Sequence, residues 1–207
     1  PEASDDVHED AWSRLRAADG ILVPGGFGHR GVEGKILAAN YARTNGVPYF
    51  GICLGLQVAA IEFARNVLGM EGSTSTEFDE DCENPAVIFM PEISTTHLGG
   101  TMRLGSRPTL FQVEDCKVKR LYGGLESVDE RHRHRYEVNP ELINNLESAG
   151  LTFVGKDETG QRCEILELPD HPYFVAVQYH PEFKSRPGRP SPPFLGLILA
   201  ASGQPLP

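Results

Sequence analysis

The segment Gly51-Ile52-Cys53-Leu54-Gly55 places a cysteine between two glycines. Residues 48–52 are apolar and typical of a buried strand, whereas residues 54–68 carry apolar side chains at spacings of three and four, which predicts an amphipathic helix. A nucleophile at such an elbow needs small residues two positions away on both sides, and the positive end of the helix stabilises a thiolate. The segment predicts a nucleophilic Cys53; the alternative is a small thiol of the core.

A base for this cysteine is available near the C-terminus. The segment 178–182, which contains His180, directly follows the apolar strand 173–177, and Glu182 lies two residues after His180. His180 would take the thiol proton, while Glu182 would accept the second ring N–H and orient the imidazole. We predict a triad of Cys53, His180 and Glu182. The alternative for His180 is a histidine that only bonds the backbone at the end of a strand.

Backbone amides near the cysteine could stabilise a developing oxyanion. The amide of Leu54 follows the nucleophile directly. Gly25 and Gly26 follow a short strand at residues 21–23 and could bring a second amide close, because glycine tolerates unusual backbone angles. The sequence predicts an oxyanion hole built from Gly25, Gly26 and Leu54, or else an ordinary loop at the two glycines.

Two further motifs point to other classes of site. Gly26, Gly28 and Gly31 match a dinucleotide-binding fingerprint, but the acidic residue expected about 20 residues later on a second strand is absent. Residues 131–136 alternate arginine and histidine before a tyrosine. In a strand this alternation places the three arginines on one face and the two histidines on the other. The arginine row suits a carboxylate, the alternative being a solvated basic edge.

The elements that would position these residues indicate an α/β fold. The first seventy residues alternate helix and strand, which predicts a parallel sheet with helices on its faces. The second half is rich in β structure and adds hairpin strands. Its predicted strands span residues 86–90, 109–113, 131–138, 151–156, 162–168 and 173–179, and its predicted helices span 140–148 and 194–201. We expect a mostly parallel central sheet flanked by helices.

Length and charge restrict the function classes. The 207 residues include 19 basic and 29 acidic ones, and a formal charge of −10 disfavours a general nucleic-acid or anionic-membrane surface. The four cysteines are far apart with no C-x-x-C pair, which argues against a zinc site. No apolar run approaches the roughly 20 residues of a membrane span. We expect one cytoplasmic domain over residues 1–207, without a metal and without nucleic-acid or membrane partners.

Together these motifs resemble those of class I glutamine amidotransferases and, within that family, of the glutaminase domains of eukaryotic CTP synthases. The resemblance extends from about Trp12 to Ala201. The motifs that carry it are residues 22–28, 51–57, 75–78, 98–105, 130–139 and 180–183. Leu56 stands where the family usually has methionine, an exchange that nearly conserves volume. The family's domain opens with a strand and a helix that would precede Pro1.

The resemblance implies that glutamine is the substrate and that Cys53 attacks its side-chain amide, with His180 and Glu182 completing the triad. The implied glutamine-binding residues are Gly26, Leu54, Gly55, Leu56, Gln57, Glu77 and Arg135. Arg135 suits the α-carboxylate and Glu77 the α-ammonium group. The loop with Phe27, Arg30, Gly31 and Glu33 is the implied site of GTP, the family's allosteric activator.

The resemblance also implies a partner domain. Ammonia would pass to a synthetase domain of the same polypeptide, which aminates UTP with ATP and Mg²⁺, in an enzyme that is a homo-tetramer. The glutaminase domain itself needs no cofactor, and this chain contains no G-x-x-x-x-G-K-[ST] phosphate loop. Alternatives are the glutaminase domain of another triad amidotransferase, or a non-catalytic module used in regulation or assembly.

Overall fold

A computed structural model describes residues 5–90 and 102–207, so residues 98–101 of the motif at 98–105 lie outside the described part. The α-helices are Asp5–Arg16 (α1), Val32–Asn45 (α2), Leu54–Asn66 (α3), Lys117–Leu121 (α4), Ile143–Ser148 (α5) and Pro192–Ala201 (α6). The strands are Ile21–Val23 (β1), Tyr49–Ile52 (β2), Thr74–Ser75 (β3), Pro85–Phe89 (β4), Arg103–Phe111 (β5), Ser127–His134 (β6), Tyr136–Val138 (β7), Thr152–Lys156 (β8), Cys163–Glu167 (β9) and Phe174–Val177 (β10). Short 3₁₀ turns cover Pro140–Leu142 and Pro181–Phe183.

The main sheet has seven strands in the order β1-β2-β10-β9-β8-β5-β6. Strands β1, β2 and β10 run parallel to one another, and every other neighbouring pair in this sheet is antiparallel. The predicted α/β class with added hairpin strands is confirmed, but the expectation of a mostly parallel sheet is wrong: the sheet is mixed. Strands β8, β9 and β10 follow one another through short connections, which reverse the chain, whereas a parallel pair needs a crossover of a dozen or more residues.

A smaller sheet contains β3, β4 and β7. The predicted strand 131–138 is therefore two strands, because β6 pairs with β5 in the main sheet and β7 pairs with β4 in the small one. The break falls at Arg135. The sequence analysis also missed the start of β5 at Arg103 and the whole of helix α4.

Helices cover both faces of the parallel strands. On one face Tyr49 and Phe174 pack with α2 and α3, and on the other face Phe50 and Val175 pack with α6 and its neighbours. All four side chains are buried, which explains why these strands read as continuous apolar runs. The ends of β2 and β10 are consequently fixed by packing on both sides, and the residues that follow them are held in place.

Within residues 5–90 and 102–207, no helix is long and apolar enough to span a bilayer.

Candidate active site

The predicted catalytic residues meet at one edge of the main sheet. Gly25 and Gly26 follow β1, Cys53 follows β2, and His180 comes shortly after β10. These three strands are parallel neighbours, so their carboxyl ends open onto the same crevice, the usual position of a site in an open α/β sheet. Residues separated by more than 150 positions in the chain thus come together.

Cys53 occupies a strained elbow. Its φ of 52° and ψ of −100° make it the one non-glycine residue with positive φ among those described. Its amide donates to the Val177 carbonyl at 2.7 Å, which ties the elbow to β10. The flanking glycines are needed for space: a Cβ on Gly51 would lie 2.5 Å from the Gly55 carbonyl oxygen, and one on Gly55 would overlap the Val23 carbonyl. The predicted strand-turn-helix elbow is confirmed.

His180 is oriented by Glu182, with Nδ1 and Oε1 2.6 Å apart. Its backbone amide donates to the Arg131 carbonyl at 2.8 Å, so β6 fixes the turn that carries the imidazole. Burial alone lowers the pKa of His180, but the Cys53 thiol and the Glu182 carboxylate together raise it to about 9. The Nε2 atom is buried and has no hydrogen bond of standard geometry. It faces the thiol with the loose alignment common in triads without substrate.

The Gly25-Gly26 loop lies against both catalytic side chains. A Cβ on Gly25 would lie 2.8 Å from Cε1 of His180 and 3.4 Å from Cβ of Cys53, and one on Gly26 would lie 3.3 Å from the Leu54 side chain. Neither glycine has positive φ, so the close approach, rather than an unusual backbone angle, requires them. The amides of Gly26 and Leu54 donate to no other described residue, which leaves them available to an oxyanion.

Glu77 and Arg135 approach this crevice from the small sheet and its junction with the main one. One oxygen of Glu77 accepts the Gly28 amide at 2.9 Å, which ties it to the glycine loop. The Nε of Arg135 is buried without a hydrogen-bond partner among the described residues. Burial raises the pKa of the Tyr136 phenol, and the charges of both Glu77 and Arg135 act on it. A carboxylate and a guanidinium thus both lie close enough to one tyrosine to influence its ionisation.

Gln57 lies on the first turn of α3 and extends into the interior. It is buried, and its Nε2 donates to the Tyr136 carbonyl at 3.1 Å and to Oε1 of Gln178 at 3.3 Å. Both amide hydrogens therefore hold protein groups, and Oε1 is what remains for a ligand. The sequence analysis missed Gln178 and the role of the Tyr136 carbonyl, since no local pattern joins residues 57, 136 and 178.

The predicted arginine row ends early. In β6 His132 and His134 are buried while Arg131 and Arg133 are exposed, so the predicted alternation is confirmed there. Arg135 leaves the row because the chain bends between β6 and β7. The guanidinium of Arg133 instead lies 5.6 Å from the centre of the exposed Phe27 ring.

The rest of the Phe27 loop is open. Arg30 and Gly31 are exposed, and Gly31 takes a left-handed conformation at the start of α2. Glu33 forms an ion pair with Arg65 at 2.8 Å. The described residues contain no group of three metal-ligating side chains.

A cysteine elbow, a histidine oriented by a carboxylate and a glycine loop at the edge of a mixed sheet define a cysteine-dependent α/β enzyme of the amidotransferase type. The family model "Glutamine amidotransferase class-I" matches residues 2–200, and the chain belongs to this family. The family resemblance predicted from the motifs is confirmed.

Among curated proteins, the chain is similar to CTP synthases. It is 60% identical to CTP synthase 2 of Saccharomyces cerevisiae over 208 residues, which cover 98% of the chain and 36% of that protein. It is 59% identical to CTP synthase 2 of Xenopus laevis, over 98% of the chain and 35% of that protein. The chain thus spans about a third of the length of these eukaryotic relatives.

Solved structures give the same assignment. The glutaminase domain of Trypanosoma brucei CTPS, solved with bound acivicin, has a TM-score of 0.90 and 39% identity, with 100% of this chain and 79% of that chain covered. A putative GMP synthase protein of Thermoplasma acidophilum has a TM-score of 0.58 and 19% identity over 92% of this chain and 76% of that one, a likeness of fold alone. The chain is a glutamine amidotransferase domain of the kind found in CTP synthases.

Proposed function

We propose that the chain hydrolyses L-glutamine to L-glutamate and ammonia through a thioester on Cys53. The observation that carries this proposal is the triad: a strained cysteine next to an imidazole whose other nitrogen is 2.6 Å from a carboxylate. The similarity to the trypanosomal glutaminase domain, which was solved with acivicin, supports a site shaped for an amino acid.

Glutamine is a zwitterion, and the crevice offers a partner for each charge. Arg135 binds the α-carboxylate, because its buried Nε has no hydrogen-bond partner in the part of the chain that the structure describes. Glu77 binds the α-ammonium group with the oxygen that does not hold Gly28. Gly26 and the first turn of α3, residues 54–57, surround the side-chain amide.

The reaction then proceeds in two halves. The Cys53 thiolate attacks the amide carbon, and the amides of Gly26 and Leu54 stabilise the oxyanion. The carbon–nitrogen bond breaks as the His180 imidazolium protonates the departing ammonia, which leaves a γ-glutamyl thioester. His180, now neutral, takes a proton from water. The resulting hydroxide attacks the thioester, releases glutamate and restores the thiolate.

The remaining chemistry belongs to a synthetase domain of the same polypeptide. Ammonia would pass to that domain, which would aminate UTP to CTP using ATP and Mg²⁺, as the 60% identity to a CTP synthase suggests. We further propose that residues 1–207 form one domain and that the whole enzyme is a cytoplasmic homo-tetramer without nucleic-acid or membrane partners.

GTP would act as an activator at the Phe27 loop. Phe27 is 51% exposed and has the Arg133 guanidinium above its ring, which offers a stacking surface for a purine. The exposed Arg30 beside Gly31 would attract phosphate groups, and the Glu33-Arg65 ion pair would support the loop from α2.

Covalent labelling tests the glutaminase proposal. Acivicin, an α-amino acid with an electrophilic ring, should add once to Cys53, as located by mass spectrometry after proteolysis. Cys82 is the internal control, because it is partly exposed whereas Cys53 is only 3% exposed. A thiol chosen by accessibility alone would be Cys82, so labelling there, with none on Cys53, would overturn the proposal.

Turnover provides the second test. Cys53→Ser should abolish ammonia release from glutamine, and Cys82→Ser should leave it unchanged. Unchanged turnover in Cys53→Ser would overturn the role of Cys53. An unlabelled Cys53 together with no ammonia release by the unsubstituted chain would support a non-catalytic module instead.

A further inference from the structure

Two buried histidines of β6 form hydrogen bonds that lead to Tyr136, the residue after Arg135 at the bend. On β6, Nδ1 of His132 lies 3.1 Å from Nε2 of His134, and Nδ1 of His134 lies 3.0 Å from the Tyr136 carbonyl oxygen. His132 and His134 are 2% and 3% exposed. The triad does not use either of them.

The donor and the acceptor of each of these two hydrogen bonds can be assigned by starting from the Tyr136 carbonyl. A carbonyl oxygen only accepts, so Nδ1 of His134 carries a proton, and a neutral ring then leaves Nε2 as an acceptor. Because Nε2 of His134 accepts, Nδ1 of His132 must be the donor and must carry the proton of that ring. Burial lowers the pKa of His132 to about 2 and that of His134 to about 3, so both rings are neutral. Each histidine is therefore confined to one tautomer.

The Tyr136 carbonyl receives a second donor, Nε2 of Gln57, at 3.1 Å. Two side chains thus hold the peptide between Tyr136 and Glu137, while the Met90 amide donates to the Arg135 carbonyl at 3.0 Å. Arg135 itself belongs to neither strand and lies where the chain passes from the main sheet to the small one. Its backbone is fixed by the bond from Met90 together with the side-chain contacts to the residue that follows it.

We propose that His134, oriented by His132, is a positioning residue that holds the bend at Arg135 so that its guanidinium meets the α-carboxylate of glutamine. This inference rests on the proposed function. It assigns the two histidines to substrate binding rather than to bond making, because their hydrogen bonds lead to the Tyr136 carbonyl and the triad is complete without them.

Acivicin labelling kinetics on the 207-residue chain test the inference. His134→Phe keeps a ring but removes the donor, and it should raise the acivicin concentration for half-maximal labelling about ten-fold, with the maximal rate within about three-fold. His134→Asn should restore the concentration to within about three-fold, because its amide can replace Nδ1 as the donor. Alkylation of Cys53 by iodoacetamide, which has no α-carboxylate, should not change.

A double-mutant cycle tests whether the effect of His134 depends on Arg135. If His134 acts through Arg135, adding His134→Phe to Arg135→Ala should have no further effect. His171→Phe is the matched control: His171 is a buried histidine that bonds the Ala42 carbonyl at 3.0 Å, and it precedes β10, whereas His180 follows that strand. Its loss should leave half-maximal labelling unchanged.

The outcomes separate the two proposals. An unchanged half-maximal concentration in folded His134→Phe, additive effects in the cycle, or an equal loss of iodoacetamide alkylation would overturn the positioning role. If His134→Phe does not fold, His132→Leu, which leaves the Tyr136 contact in place, should raise the same concentration about three-fold, and no change would overturn it. Absence of Cys53 labelling in the unsubstituted chain would instead overturn the glutaminase proposal.

Discussion

At the scale of single residues, Cys53 is held in a conformation that costs a non-glycine residue about 1–3 kcal/mol. A thiol that only filled the core would gain nothing from this strain. Its surroundings enforce it, because β2, α3 and the Val177 carbonyl fix the chain on both sides of the elbow. Of the two interpretations of this cysteine, the strain therefore favours a nucleophile over a small thiol of the core.

The ionisation of His180 can be observed directly. The titration midpoint of its ring proton in NMR should lie near 9, because the thiol and Glu182 outweigh the effect of burial. Since the folded pKa lies above the ordinary 6.5, the imidazolium stabilises the fold fully below about pH 6.5, and this contribution is lost as pH rises through about 9. Glu182→Gln should move the midpoint down, and a midpoint at or below 6.5 in the unsubstituted chain would contradict the pairing.

Gly25 is expected to be essential for reactivity rather than for folding. A methyl group there would lie 2.8 Å from the His180 ring, which cannot move without losing Glu182. Gly25→Ala should slow acivicin labelling of Cys53 by about 100-fold, the usual effect of a misplaced catalytic group. Gly34→Ala, where the added methyl meets open space, should label normally and be more stable by about 0.5–1 kcal/mol. Equal labelling by both variants would show that Gly25 has no such role.

At the scale of elements, β6 and β9 surround a polar interior. Glu164 on β9 is buried, and it bonds the Arg103 guanidinium at 2.7 Å and the Thr109 hydroxyl. Its Oε2 also lies 3.7 Å from Nε2 of His132. Burial raises the pKa of Glu164 to about 7 against these contacts. This carboxyl therefore carries a proton through much of the acidic range, and it can face the unprotonated His132 nitrogen without repulsion.

Glu164→Gln should change how stability depends on pH. Because the folded pKa of Glu164 lies above the ordinary 4.5, its stabilising contribution is full below about pH 4.5 and is lost as pH rises through about 7. The free energy of unfolding, measured with urea, should be similar for the unsubstituted chain and for Glu164→Gln at pH 4.5. At pH 8 it should be higher for Glu164→Gln. A variant that is less stable than the parent at pH 8 would show that the ionised carboxylate is the stabilising form.

At the scale of the whole molecule, three parallel strands carry the proposed catalytic residues, and the small sheet with its junction carries the proposed glutamine-binding residues Glu77 and Arg135. The proposed site thus joins the two sheets. The Phe27 loop lies at the open side of this junction, with its ring covered on one face by Arg133. A purine stacked there would have protein on one side, and we expect the synthetase domain to supply the other.

The response to GTP tests whether the proposed effector site is shared with the synthetase domain. In the 207-residue chain alone, GTP should change the rate of acivicin labelling by less than about two-fold, because we expect the second half of the proposed site to lie on the synthetase domain. Labelling of the chain should be followed over a range of GTP concentrations, with ATP as the control nucleotide. Strong stimulation by GTP alone would show that the effector site is complete within this chain.

Local patterns in the sequence were sufficient for the elbow, for the His180-Glu182 pair and for the alternation of β6. Each depends on neighbours within a few residues: glycines two positions from Cys53, a carboxylate two positions from His180, and the two-residue period of a strand. The family resemblance then supplied the roles of Glu77 and Arg135, which no local pattern indicates.

Only the tertiary structure decided which residues share the crevice and how they are held. The mixed sheet, the break at Arg135 and the binding of Gln57 to Tyr136 and Gln178 all arise from pairings between distant segments. The protonation states of His180 and Glu164 have the same origin, because they depend on burial and on neighbours that the chain brings together only when it folds. The sequence by itself determined which groups can react, and packing determined their geometry and their charge.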